Sequence, residues 1–113
     1  MLRDYKVHLE DILEAIEKIL KYTDSISFKD FSSDSKTIDA VIRNLEIIGE
    51  AVKKVPEETR KLKPEIEWKN IAALRDILIH EYFGIDNEIV WDIIRNKLPI
   101  LKNQVSDLLK SLP

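Results

Sequence analysis

Residues Leu2 to Tyr22 read LRDYKVHLEDILEAIEKILKY, and their spacing decides the fold class. Tyr5, Leu9, Ile12, Ile16 and Ile19 recur at three- and four-residue intervals, with Leu13 and Leu20 widening the stripe and charges filling the opposite side. That is the period of a helix with one buried face. Working outward, the segment Thr23 to Ser33 is rich in Ser and Asp, with Phe28 and Phe31 three apart, and predicts a loop or one short turn pinned by two aromatics. Asp34 or Ser35 then caps a second helix from about Ser35 to Val55, with Ile38, Val41, Ile42, Leu45, Ile48 and Val52 facing inward. Pro56 stops it, EETRKLKP forms at most one helical turn, and a third helix runs from about Glu67 to Phe83, ended by Gly84. Asp86 caps a fourth helix that carries Ile89, Val90, Ile93, Ile94, Leu98, Leu101, Val105, Leu108 and Leu109, with a kink expected at Pro99.

Four amphipathic helices joined by short connections predict an all-α, antiparallel up-down four-helix bundle, with one extra helical turn in a connection. The composition agrees. Two Gly and four Pro among 113 residues cannot punctuate a sandwich or barrel, and a chain of this length builds a single domain over residues 1–113. With no Cys, and only His8 and His80 as imidazoles, disulfides, thiolate metal sites and cysteine nucleophiles are excluded. The amphipathic N-terminus reads as neither signal peptide nor membrane span, so a soluble, cytoplasmic protein with no membrane partner is expected. A formal charge of −3 argues against indiscriminate duplex binding, although a local basic patch is compatible with it. The generous apolar count on the fourth helix, with Trp91 added, predicts a second hydrophobic face and hence a homodimer.

The polar residues that could carry chemistry crowd the last two turns of the third helix, which reads RDILIHEY from Arg75 to Tyr82. At about 100° per residue, Tyr82 falls some 20° from Arg75, and His80 some 40° from Asp76, whose carboxylate could hold one ring nitrogen of His80. Arg75 and His80 are about 140° apart, so they can cooperate only by lining a groove, for instance one built across a subunit boundary. An Arg fork matches a phosphate and His exchanges protons near neutral pH, a pairing suited to phosphodiester chemistry. RNA supplies its own 2′-hydroxyl nucleophile, so a base and a cation could suffice without metal. Taken alone, the spacing favours a plainer reading: His80 as a C-terminal cap, Arg75 as a surface partner of Asp76 or Glu81, and Tyr82 as a half-buried aromatic. On the second helix, Asn44 sits at the edge of the apolar stripe and needs a hydrogen-bond partner, and Gly49 marks a close helix approach. Arg43, Glu46 and Glu50 are placed to form an ion-pair ladder or simply a solvated face, and His8 reads as a surface residue.

Arg, four residues, His, one residue and Tyr on the third helix of a small all-α chain resemble the HepT-like proteins of the HEPN superfamily. The block RNLEIIGEAVKKV, from Arg43 to Val55, is similar to that family's second block, and Trp68, Asn70, Ile71 and Asp76 match the approach to the motif. The resemblance spans nearly the whole chain. It implies the ribonuclease toxin of a type VII toxin–antitoxin pair: a metal-independent dimer whose motif helices face a shared cleft, with Arg75 and His80 catalytic and Asp76 orienting. Asn44 would support the site from the second helix. It implies as partner a minimal nucleotidyltransferase antitoxin that transfers AMP from ATP to Tyr82; no resident cofactor is expected, ATP being only the AMP donor. Two other readings stand beside this one. The chain could be a non-catalytic nucleotide-binding or substrate-presenting subunit, with Arg75 on ATP phosphate, or a purely structural four-helix interaction module.

Overall fold

The computed structural model describes residues 2–80 and 86–113, with side chains at 6–74, 76 and 86–113. Its helices are α1 (Leu2–Tyr22), α2 (Phe28–Ser32), α3 (Ser35–Lys54), α4 (Glu57–Arg60), α5 (Trp68–His80), α6 (Asn87–Asp92) and α7 (Leu98–Ser111), with a π-helical turn over Ile93–Lys97 joining the last two. The third predicted helix is α5, and the fourth is the continuous run from α6 to α7. No strand occurs among the described residues.

Leu9, Ile12, Ile16 and Ile19 of α1 are fully buried, and they meet Val41, Ile42, Leu45, Ile48 and Val52 of α3 and Val90, Ile94, Leu98, Leu101, Val105 and Leu108 of the last helix in one core. Each set follows the 3.6-residue period, so the apolar stripe alone explains which side of each helix turns inward. Tyr5 has its side chain outside the described set, and the helix end expected at Gly84 lies outside the described residues. Asp34 caps α3 by accepting from the Thr37 amide at 3.2 Å, and Asp86 caps α6 by accepting from the Glu88 amide at 2.8 Å. Within the Thr23–Ser33 segment the short turn pinned by two aromatics forms as α2: Ser27 caps it, and Phe31 is fully buried beneath Trp91, ring centroids 5.2 Å apart.

Two details of the last helix differ from the sequence expectation. Ile89, assigned to the buried stripe, is 61% exposed, because the widened turn after Asp92 shifts the phase of the stripe on either side of it. The irregularity itself precedes Pro99 instead of sitting on it. Pro99 has no N–H, and its ring crowds the carbonyl four residues back, that of Arg95; a π turn over Ile93–Lys97 relieves the crowding while Pro99 takes the second position of α7.

Contacts at the helix ends fix the topology. His8 and Asp11 share a shallow depression with Ile47, Glu50, Ala51 and Lys54, so the start of α1 lies beside the end of α3. Arg95 donates to the carbonyls of Thr23 at 2.8 Å and Ile26 at 3.0 Å, which places the start of the last helix beside the end of α1. At the other end, the Lys6 ammonium donates to the Pro113 carbonyl. Neighbours therefore alternate in direction, and α3 lies between α1 and α5. No helix among the described residues is long and apolar enough to cross a membrane.

Candidate active site

The third long helix is anchored at its first residue. Arg60, at the end of α4, donates to the last carbonyls of α3, Nη2 to Val52 at 2.8 Å and Nε to Val55 at 3.1 Å. The buried Trp68 indole donates in turn to the carbonyls of Arg60 and Lys63, both at 3.1 Å. The end of α3, the α4 turn and the start of α5 are thereby one hydrogen-bonded unit. From it α5 turns back along α3.

Counting from Trp68, Arg75 to His80 occupy the last two turns of α5. Arg75 and His80 are separated by a rise of about 7.5 Å and a rotation of about 140°, so one straight helix presents them on different faces. Their side chains lie outside the described set, and Tyr82 lies outside the described residues altogether. What can be followed is the stripe on which His80 falls. Lys69, Ala73, Asp76 and His80 recur at i, i+4, i+7 and i+11, and the first three are exposed.

Asp76 sits in the middle of that stripe. Its Oδ1 accepts from Lys53 Nζ at 2.8 Å, an ion pair between the last turn of α3 and α5 in which both side chains are partly exposed. Sequence reading gave Asp76 partners on its own helix; it did not foresee Lys53. The signal was present in principle. A lysine in the last turn of a helix ordinarily interacts with that helix's free carbonyls. Here Arg60, five residues beyond Val55, holds the Val52 and Val55 carbonyls, and Lys53 reaches across instead.

Asn44 is buried at 7% exposure, and its amide donates to the Ala40 carbonyl at 2.9 Å, one turn back on the same helix. One of its amide hydrogens is thereby held inside α3, and among the described side chains no hydrogen bond joins it to the motif. Gly49 is buried in the same helix, as a close packing position requires. The ladder expected from Arg43 through Glu46 to Glu50 does not form: Glu50 pairs with Lys54 at 3.6 Å, and among the described residues no ion pair reaches Arg43. His8 is half-buried between α1 and α3. Among the described residues no cluster of three or more His, Asp and Glu is placed to hold a metal ion.

Beside the motif helix lies an open, largely apolar groove. Leu45 and Ile48 of α3, Ile71 and Leu74 of α5, and Leu98 and Leu101 of α7 line a space of about 310 Å³, with Glu65, Glu67 and Lys97 at its rim. Ile100, next to it, is 58% exposed. Trp91, by contrast, is partly buried inside the chain, against Phe28, Phe31 and the Arg95 guanidinium.

A helical bundle carrying Arg, four residues and His at the end of its third long helix is the architecture that the sequence resemblance implies. A family model described as Ribonuclease HepT-like matches residues 12–108, and the chain belongs to that family. A protein of Thermococcus cleftensis named "Probable ribonuclease HepT" is 49% identical over 110 residues, covering 97% of this chain and all of the relative. One from Methanocaldococcus jannaschii, named a "Putative RNase", is 46% identical over 110 residues, 97% of this chain and 91% of its own. A third, of the same printed description, from Caldanaerobacter subterraneus is 45% identical over 103 residues, 91% of this chain and 92% of its own. No solved structure matches the chain significantly.

Proposed function

We propose that the chain is an RNA-cleaving toxin that works as a homodimer without a metal ion and is silenced by adenylylation of Tyr82. The observation that carries this reading is the sequence motif from Arg75 to Tyr82, with Arg75 and His80 on the third long helix, in a member of the Ribonuclease HepT-like family. In the proposed reaction His80 takes the proton of the RNA 2′-hydroxyl, the 2′-oxygen bonds to the adjacent phosphorus, and the bond from phosphorus to the 5′-oxygen breaks. The leaving oxygen is protonated by the conjugate acid of a histidine or by water, and a 2′,3′-cyclic phosphate results. Arg75 neutralises the charge that gathers on the phosphoryl oxygens. Asp76 orients the machinery through its carboxylate, which Lys53 in turn holds from α3.

Dimerisation answers the 140° separation, because a cleft between two motif helices can take Arg75 from one edge and His80 from another. The apolar groove along α5 and α7, with exposed Ile100 beside it, supports an isologous contact of this kind. For silencing, a partner nucleotidyltransferase would transfer AMP from ATP: the Tyr82 oxygen bonds to the α-phosphorus, pyrophosphate leaves and the phenolic proton is lost. A phosphate placed one helical stripe from Arg75 would occupy the cation that RNA needs.

The test is cleavage of RNA by the purified chain alongside Arg75→Ala and His80→Ala, with circular dichroism to confirm folding. Loss of cleavage by at least 10²-fold in both is expected. Wild-type rates in either would refute the catalytic assignment. Saturable ATP binding by a chain that never cleaves RNA would instead mark a nucleotide-binding subunit.

A further inference from the structure

The net charge of −3 conceals an uneven surface. Among the described residues neither Lys61 nor Lys69 has an ion-pair partner, and both are exposed. They line one open depression of about 540 Å³ together with Arg60 and the acidic Glu57 and Glu67. Glu67 is partly engaged, its Oε2 accepting from the Asn70 amide at 3.0 Å, and Lys63 nearby is paired with Glu65 at 3.6 Å. From this depression the exposed stripe of α5 leads to the motif: Lys69, then Ala73, then Asp76 with the Lys53 ammonium on it, then the position of His80. The stripe rises about 10 Å from Lys69 to Asp76 and about 6 Å more to His80. Ala73 has no bulk to interrupt it.

We propose that Lys61, Lys69 and Lys53 form a cationic track that leads one flank of a single-stranded RNA along α5 to His80. The inference rests on the ribonuclease reading above and adds to it the residues that bind the substrate outside the motif. The three lysines differ in role. Lys61 and Lys69 are open to solvent and meet phosphates directly. Lys53 is pinned by Asp76, so its ammonium stands at a fixed point of the path and also cancels a carboxylate that would repel the strand. Nothing in this arrangement reads bases, since a row of ammonium groups binds backbone without regard to sequence.

The experiment is fluorescence anisotropy of a labelled oligouridylate on the full chain carrying His80→Ala to prevent turnover, measured from low to high salt. Each lysine on a phosphate adds about 0.7 to the slope of log affinity against log salt, so Lys61→Gln with Lys69→Gln should lower the slope by about 1.4 and weaken binding about 25-fold at 0.1 M. Lys53→Gln should weaken binding about 5-fold or more, and Lys53→Arg, which can still reach Asp76, should restore it. Lys110→Gln, exposed at the end of α7, should change the slope no more than any distant charge. Unchanged slopes in folded Lys61, Lys69 and Lys53 variants, with wild-type cleavage intact, would overturn the track and leave the ribonuclease reading standing. A lysine-dependent slope in a chain whose wild type cleaves no RNA would support the track and overturn the ribonuclease. A chain that neither binds nor cleaves would overturn both.

Discussion

Replacing Arg60 by Ala should unfasten the start of the motif helix. The guanidinium makes two charge-assisted bonds to carbonyls at the end of α3, at 2.8 Å to Val52, whose carbonyl also accepts from the Val55 amide, and at 3.1 Å to Val55, where the chain has left the helix. Such bonds contribute about 1.5 to 3 kcal/mol each when well shielded, and Arg60 is only half-buried, so the loss should be about 3 kcal/mol for the pair. Against a total of about 6 to 17 kcal/mol for a chain of this size, that is a large fraction. It corresponds to a fall in Tm of about 12 °C or more. Arg60→Lys retains one donor and should lose about half as much. The assay is urea and thermal unfolding by circular dichroism, with tryptophan fluorescence beside it, because the Trp68 indole leans on the Arg60 and Lys63 carbonyls and should report any loosening of the α4 turn. In the folded fraction, a motif displaced by about 1 Å should cleave RNA about 10²-fold more slowly. If Arg60→Ala unfolds within about 0.5 kcal/mol of wild type, the claim that Arg60 anchors α5 is wrong.

Three further perturbations test the frame around the site. Ser25 holds a left-handed φ of 62°, so Ser25→Gly should raise stability by about 0.5 to 1 kcal/mol in chemical denaturation; a loss would show that the turn after α1 is set by something other than backbone sterics. Arg95 clamps the Thr23 and Ile26 carbonyls and lies 4.3 Å from the Trp91 ring centre, so Arg95→Ala should cost about 2 kcal/mol, with a red shift of Trp91 emission that Arg95→Lys only partly reproduces. The Thr37 hydroxyl and amide, at 2.7 and 3.2 Å, hold the Asp34 carboxyl below its ordinary range. Its folded pKa is below its unfolded one, so the cap stabilises above the ordinary carboxyl range and that contribution is lost as pH falls through the lowered value; Asp34→Asn should flatten this acid limb of the stability curve, and an identical limb in the variant would refute the assignment.

Most of the fold was legible because the helices are amphipathic and their stops are local. A stripe such as Leu9, Ile12, Ile16 and Ile19 can bury only one way, and Pro56 cannot continue a helix whatever surrounds it. Legibility ended where a local rule met a tertiary one. Phe28 and Phe31, three apart, marked the short turn that pins the Ser-rich stretch but not what they pin it to, since Trp91, their partner, lies some sixty residues on. Ile89 fits the stripe of a regular helix and fails only because five π-helical residues follow it, a change of phase that no hydrophobic count reveals.

The site divides in the same way. That Asp76 and His80 share a stripe could be read from their four-residue spacing on one helix, whereas Arg75 and His80 are singled out together only by the family resemblance. Lys53 could not be read in either way, since its relation to Asp76 depends on the register between α3 and α5, which the Arg60 clamp and the Trp68 indole set from the connection. The same register explains how an acidic chain can have a path for a polyanion. Its carboxylates are spread over every helix, and several are tied in local pairs, Glu14 with Lys18, Glu50 with Lys54 and Glu65 with Lys63. Among the described residues Lys61 and Lys69 have no such partner, and Lys53 is drawn to the carboxylate that would otherwise block the stripe. At physiological ionic strength a charge is felt over only about 8 Å, so a strand lying on α5 responds to these lysines and the motif, and hardly to the total of −3.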